Sequence, residues 1–65
     1  MPKMQIYADR AGQYRWRLKA DNNEIVAVSE AYVLKQGAIS GAKLVQQLAP
    51  RAFLEDTTIQ NNRWF

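Results

Sequence analysis

The sequence predicts an α+β domain in the order β-β-β-α-β, an antiparallel sheet with one helix laid across it, and three observations carry that reading. Tyr14-Arg15-Trp16-Arg17-Leu18-Lys19 alternates apolar and cationic side chains with a period of two, as a strand with one buried face does. Leu34, Ala38, Gly41, Ala42, Val45, Leu48 and Ala49 recur instead at helical spacing and make one apolar stripe. Turn-forming residues fall between the strand-like runs, at Asp9 to Gln13 and at Asp21 to Glu24, as two hairpins require.

The first strand is Met4-Gln5-Ile6-Tyr7-Ala8, with Met4, Ile6 and Ala8 on one side and Gln5 and Tyr7 on the other. In the loop Asp9-Arg10-Ala11-Gly12-Gln13, the Asp can accept bonds from nearby backbone amides and the Gly can take a positive φ. Tyr14, Trp16, Leu18 and Ala20 then share one face of the second strand, while Arg15, Arg17 and Lys19 share the other, so the aromatic face is the inner one. The turn Asp21-Asn22-Asn23-Glu24 contains two Asn residues, which tolerate the left-handed conformation a tight hairpin demands.

Ile25-Val26-Ala27-Val28-Ser29 has the β-branched content of a third strand, yet it is apolar on both faces. Neither face can be wholly solvated, which predicts cover from a partner subunit or from the chain's own tail. Glu30 to Val33 reads as a connection into the helix, whose polar side carries Lys35, Gln36, Lys43, Gln46 and Gln47 and whose stop is Pro50. Gly37 and Gly41 each cost about 1 kcal/mol against Ala in a helix interior, so with Ala38 and Ala42 they imply a close approach of the helix to the sheet. Arg51 to Ile59 reads as a fourth strand centred on Phe53 to Thr57. Residues 60–65 close the chain with a polar spacer and the aromatics Trp64 and Phe65, leaving one domain over 1–65 with its core at about 4–59.

A chain of 65 residues buries only roughly 60% of the surface its unfolded form exposes. With no cysteine and no histidine it has neither disulfides nor Cys/His zinc clips to compensate, and oligomerisation is the remaining remedy. The lack of cysteine fits a reducing compartment. No apolar run approaches the length of a membrane span and no apolar leader precedes the first strand, so a soluble, cytoplasmic protein without a membrane partner is expected. Nine basic against six acidic residues give a net charge of +3, enough for weak attraction to polyanions and short of the dense patch of a dedicated nucleic-acid module.

Arg15, Arg17 and Lys19 on one strand face, extended by Arg10 in the preceding loop, are the candidate anion- or nucleic-acid-binding residues. The ordinary alternative is a solvated outer face whose cations pair across strands or stack on Tyr7. Tyr14 and Trp16 could serve as a base-stacking platform, but their phase with Leu18 assigns them to the core. Asp9 and Asp21 suit turns, and Glu55-Asp56 suits a charged edge that resists aggregation. No acidic pair has the spacing of a general acid and base, and Ser29, Ser40, Thr57 and Thr58 have no histidine to activate them. No catalytic, cofactor-binding or metal-binding residue is therefore expected. The leading expectation is a non-enzymatic interaction or structural module working as a homodimer, with Val26, Val28, Phe53, Leu54 and Thr57 as dimer contacts. Weak polyanion binding stands second, and an enzyme with a cleft at a dimer seam stands last.

Ile6-Tyr7, Asp9, Gly12, the run Tyr14 to Leu18, Ala20, Asn22, Ile25-Val26-Ala27, Ser29-Glu30, Tyr32 and Lys35 together resemble the YegP-like family of small uncharacterised proteins, in order and in spacing, from Met4 to Ala49. Asn23 stands where that family usually has Gly, and Val33-Leu34 replace the small polar residues that commonly cap the helix. The resemblance implies a β-β-β-α-β unit that acts in pairs, as tandem copies or as a homodimer. For a chain with one copy it implies a homodimer with a shared sheet and exchanged C-terminal strands. It supplies no activity to transfer.

Overall fold

The computed structural model describes residues 1–58. The chain runs through β1 (Lys3–Ala8), β2 (Tyr14–Lys19), β3 (Ile25–Val28) and α1 (Lys35–Leu48), and then makes one 3-10 turn over Ala49–Arg51. The strands lie in the order β1-β2-β3, each pair antiparallel, so β2 is central and both neighbours are edges. Met4 stands opposite Leu18, Ile6 opposite Trp16 and Ala8 opposite Tyr14, which gathers the inner row that the alternation predicts. Leu18 stands opposite Ala27, after which the β2–β3 ladder shifts register at Lys19 and Ile25.

Both hairpins close by the chemistry their residues suggest. Asp9 Oδ1 accepts the amides of Ala11 and Gln13 at 2.9 Å each, the Asp9 amide donates to the Gln13 carbonyl at 2.8 Å, and Gly12 takes φ 81°. In the second turn the Ala20 amide donates to the Glu24 carbonyl at 2.8 Å and Asn23 occupies the left-handed region at φ 69°. Asn is among the few side chains that tolerate that region, so Asn23 closes the hairpin without a glycine.

The helix lies on β2 and β1 and makes no approach to β3. Ala38 and Ala42 are its buried residues. Leu34 caps the helix start without any side-chain bond, as its apolar side chain dictates, and both Leu34 and Leu48 stay exposed at the helix ends. Glu30 to Val33 is more than a connection: Tyr32 exchanges backbone bonds with Tyr14, donating at 2.7 Å and accepting at 2.8 Å, in line with β3 along the same side of β2. Its ring lies against Gly37 and Gly41, where an added Cβ would meet Tyr32 Cδ2 at 3.1 Å and Tyr32 Cζ at 3.1 Å respectively. The two glycines exist to admit this ring, which explains a helix that carries their propensity cost.

The fourth strand that the sequence predicts over Arg51 to Ile59 is not formed among the described residues. Arg51 closes the 3-10 turn, residues 52–56 pair with no strand, and Thr57 and Thr58 form a turn; Ile59 lies outside the described residues, as do Trp64 and Phe65. Propensity makes a strand only where an edge is within reach to complete its ladder. Here Ala52 leaves the 3-10 turn in an extended conformation, φ −73° and ψ 132°, and the described residues beyond it are exposed. The radius of gyration is 15.4 Å, against roughly 11 Å for a compact domain of this length. Over the described residues the architecture is therefore β-β-β-α followed by an exposed C-terminal arm.

Candidate functional site

Two surfaces carry the residues singled out by sequence. The first is the outer sheet face, opposite the helix, where β1 presents Lys3, Gln5 and Tyr7, β2 presents Arg15, Arg17 and Lys19, and β3 sets Val28 opposite Arg17 and, past the register shift, Ile25 opposite Lys19. Arg15 Nε donates to Asp9 Oδ2 at 3.0 Å and its Nη1 donates to the Ser29 carbonyl at 3.0 Å. Arg17 Nε donates to Gln5 Oε1 at 2.9 Å, with the guanidinium 4.5 Å above the Tyr7 ring. These two cations are engaged as internal braces, the cross-strand and stacking uses that compete with ligand binding. Lys19 stands opposite Lys3 in the register and has no ion-pair partner among the described residues, while Arg10 is exposed in its loop.

Asp9 organises one end of this face. The Arg15 side-chain bond, followed by the Gln13 backbone amide, holds its carboxyl below the ordinary aspartate value of 3.8, because each donor stabilises the ionised form. Ser29 anchors the other side of Arg15. Its hydroxyl accepts the Trp16 amide at 2.9 Å and donates to the Glu30 carbonyl at 2.7 Å, and its own amide donates to the Trp16 carbonyl at 2.9 Å. The side chain thereby stands in for a ladder carbonyl where the strand departs from β2 before rejoining it at Tyr32. A hydroxyl so committed has no free role as a nucleophile. Among the described residues no three His, Cys, Asp or Glu side chains gather as a metal site would need.

The second surface is apolar. In β3, Val26 is 63% and Val28 49% exposed, and in the arm Phe53 is 89% and Leu54 93% exposed. Thr57 lies in the exposed turn that follows. Thus every expected dimer contact stands in β3 or on the C-terminal arm, and among the described residues no ladder joins the arm to β3. On the β1 side, Met4, Leu18, Val45, Ala49 and Pro50 border an open groove of about 390 Å³. No helix among the described residues is long and apolar enough to cross a membrane.

Sequence reasoning passed over Tyr32 and Ser29. For Tyr32 a signal was present, since glycines at i and i+4 on a helix face imply a bulky neighbour. For Ser29 there was none, because nothing in a local pattern marks a hydroxyl that completes a sheet ladder.

Comparison with known proteins places these features in company. Residues 9–56 match the family model described as a domain of unknown function, DUF1508. A UPF0339 protein of Methanosarcina acetivorans is 44% identical over 52 residues, covering 80% of this chain and 90% of its own, and one of Treponema denticola is 48% identical over 50 residues, covering 77% and 86%. Among solved structures, a Haloferax volcanii protein determined by NMR in solution superposes with a TM-score of 0.76 at 38% identity, covering 85% of this chain and 93% of that one. The solution structure of Atu0232 from Agrobacterium tumefaciens gives 0.74 at 40% identity, covering 89% and 94%.

Proposed function

We propose that this chain, which belongs to the DUF1508 family (the UPF0339, or YegP-like, proteins), is a non-enzymatic interaction module that works in the cytoplasm as a homodimer, each copy lending its C-terminal arm to the sheet of the other. The observation that carries this reading is the match of two open surfaces: an edge strand apolar on both faces and uncovered by the helix, and an arm whose Phe53 and Leu54 are almost fully exposed. Burying one such side chain stabilises by about 1.5–3 kcal/mol, and two-fold exchange makes each contact twice. The lack of histidine, the commitment of Ser29 and the absence of cysteine support the non-enzymatic and cytoplasmic parts of the reading.

Sedimentation of the full chain, beside a chain ending at Arg51, tests it. The full chain is expected at twice its formula mass, and the shortened one is expected to lose both the dimer and much of its thermal midpoint. A full-length chain that runs as one copy and melts cooperatively at high dilution removes the proposal.

A second reading, weak binding of polyanions, draws on one feature: Lys3, Arg15, Arg17 and Lys19 share the outer face, and Lys19 and Arg10 form no ion pair among the described residues. Its carriers are then Lys19 and Arg10 before Arg15 and Arg17, which are already tied to Asp9 and Ser29 and to Gln5 respectively.

A further inference from the structure

We infer that the open edge of β1, with the groove beside it, binds an extended peptide segment of another protein as an added strand, its inner face aliphatic and its outer face carrying carboxylates. This rests on the reading of the chain as an interaction module and leaves β3 to the proposed homodimer. The backbone decides which groups the edge offers. Successive residues of an antiparallel strand turn their N–H and C=O groups to alternate sides. Tyr14 exchanges bonds with Tyr32, and the amide and carbonyl of Trp16 both bond to Ser29, so these residues of β2 face the β3 side. Arg15, Arg17 and Lys19 therefore face β1, where they stand opposite Tyr7, Gln5 and Lys3. Met4, Ile6 and Ala8 in turn direct their backbone groups away from β2, toward an edge that no strand joins among the described residues. Such an edge is what strand addition by a peptide uses.

The groove extends the edge on the helix side. α1 packs mainly on β2 and only lightly on β1, so Met4, Leu18, Val45, Ala49 and Pro50 border an opening of about 390 Å³. A strand laid along β1 sends every second side chain inward, and the one beside Met4 enters this apolar opening. Charge sets the other face. Lys3 stands opposite Lys19, and neither forms an ion pair among the described residues. Asp21, two residues beyond Lys19, is held instead by the Met1 amine at 3.1 Å. Like charges directly across a ladder destabilise and opposite charges stabilise, so an added strand is favoured with a carboxylate beside Lys3 and opposed with a cation there. Gln5, next on that face, gives its Oε1 to Arg17 and keeps its side-chain amide N–H groups for an acceptor. A second copy of β1 brings no carboxylate, which makes it the poorer occupant.

The probe is a six-residue peptide alternating valine and glutamate, blocked at both ends and fluorescent. Its controls are the valine-lysine counterpart and a copy N-methylated at the valines, the residues whose amides would bond to β1. Fluorescence anisotropy is expected to show the valine-glutamate peptide binding at least tenfold more tightly than either control. On binding, amide hydrogen exchange is expected to slow at least tenfold at Met4, Ile6 and Ala8 and to change little at Gln5 and Tyr7. Ala49→Glu, at an exposed position, is expected to weaken binding at least tenfold with circular dichroism and sedimentation mass unchanged. Absence of binding up to about 1 mM peptide, equal binding of the lysine counterpart, or protection at other amides overturns the proposal. An Ala49→Glu chain of altered sedimentation mass assigns the edge to a second copy and overturns the peptide as its occupant. A wild-type chain that runs as one copy yet binds the probe removes the homodimer and supports this site.

Discussion

Gly41→Ala is the sharpest probe of how the helix meets the sheet. At an exposed helix position the change would stabilise by about 1 kcal/mol. Here the added Cβ would sit against Tyr32 Oη, 3.1 Å from Tyr32 Cζ and 3.4 Å from Trp16 Nε1. Tyr32 cannot swing away cheaply, because its backbone is bonded twice to Tyr14 and its ring edge already borders Gly37. Overpacking of this kind costs about 1–3 kcal/mol; with the backbone so held the upper half of that range applies, and the net effect is a loss of about 1–2 kcal/mol. Removing the hydroxyl with Tyr32→Phe takes away the worst contact, so in that background Gly41→Ala should be close to neutral. Urea denaturation of the wild type, both single variants and the double variant, at one fixed protein concentration and followed by far-ultraviolet circular dichroism, gives the coupling energy directly. A coupling of about 1 kcal/mol or more is expected. Stabilisation by the full helix-propensity gain in the wild-type background would refute the reasoning, since it would mean that nothing fills the space beside Gly41.

Asp9→Asn tests the loop electrostatics. The Asp9 pKa is depressed in the folded chain, so its contribution is fully present above the unfolded value near 3.8 and is lost as pH falls through the lower folded value; the stability difference between wild type and variant should shrink below that pH, and a constant difference down to strong acid would contradict the assignment. Ser29→Ala leaves the Trp16 amide without its 2.9 Å partner inside the sheet and should cost about 1–3 kcal/mol in the same urea assay. A loss within a few tenths would mean that water or a shifted strand replaces the hydroxyl. For polyanion binding, Arg10→Gln and Lys19→Gln are the informative changes, because Arg15→Gln also cuts the ties to Asp9 and Ser29. Fluorescence anisotropy of a labelled oligonucleotide should show binding that weakens with salt and loses about one unit of salt slope for each cation removed; a flat titration of the wild type at low salt ends that reading.

The open β3 edge gives these surfaces a common consequence. Exposed apolar edges template unwanted pairing, and small proteins ordinarily blunt them with charge or cover. Here β3 carries no charged residue within Ile25–Val28, so cover is what the fold requires. In the proposed homodimer the arm of a second copy would supply it, committing the two chains to each other.

Local patterns alone determined most of the single-chain architecture. Period two placed β1 and β2 to within a residue, the 3.6-residue stripe placed α1, and Asp9, Gly12 and Asn23 marked the turns, because alternation, periodicity and φ preference are properties of residues a few places apart. The helix pattern also announced, through Gly37 and Gly41 beside Ala38 and Ala42, a close approach of the helix to the sheet. What filled that space was decided only in three dimensions: Tyr32 had to be carried back beside Tyr14 before its ring could reach the helix, and Ser29 had to lie against Trp16 before its hydroxyl could complete a ladder. The arm shows the same division from the other side. Its residues have strand character, but a strand exists only with a neighbouring strand to bond, and among the described residues the course of the chain after Pro50 brings residues 52–55 into no ladder.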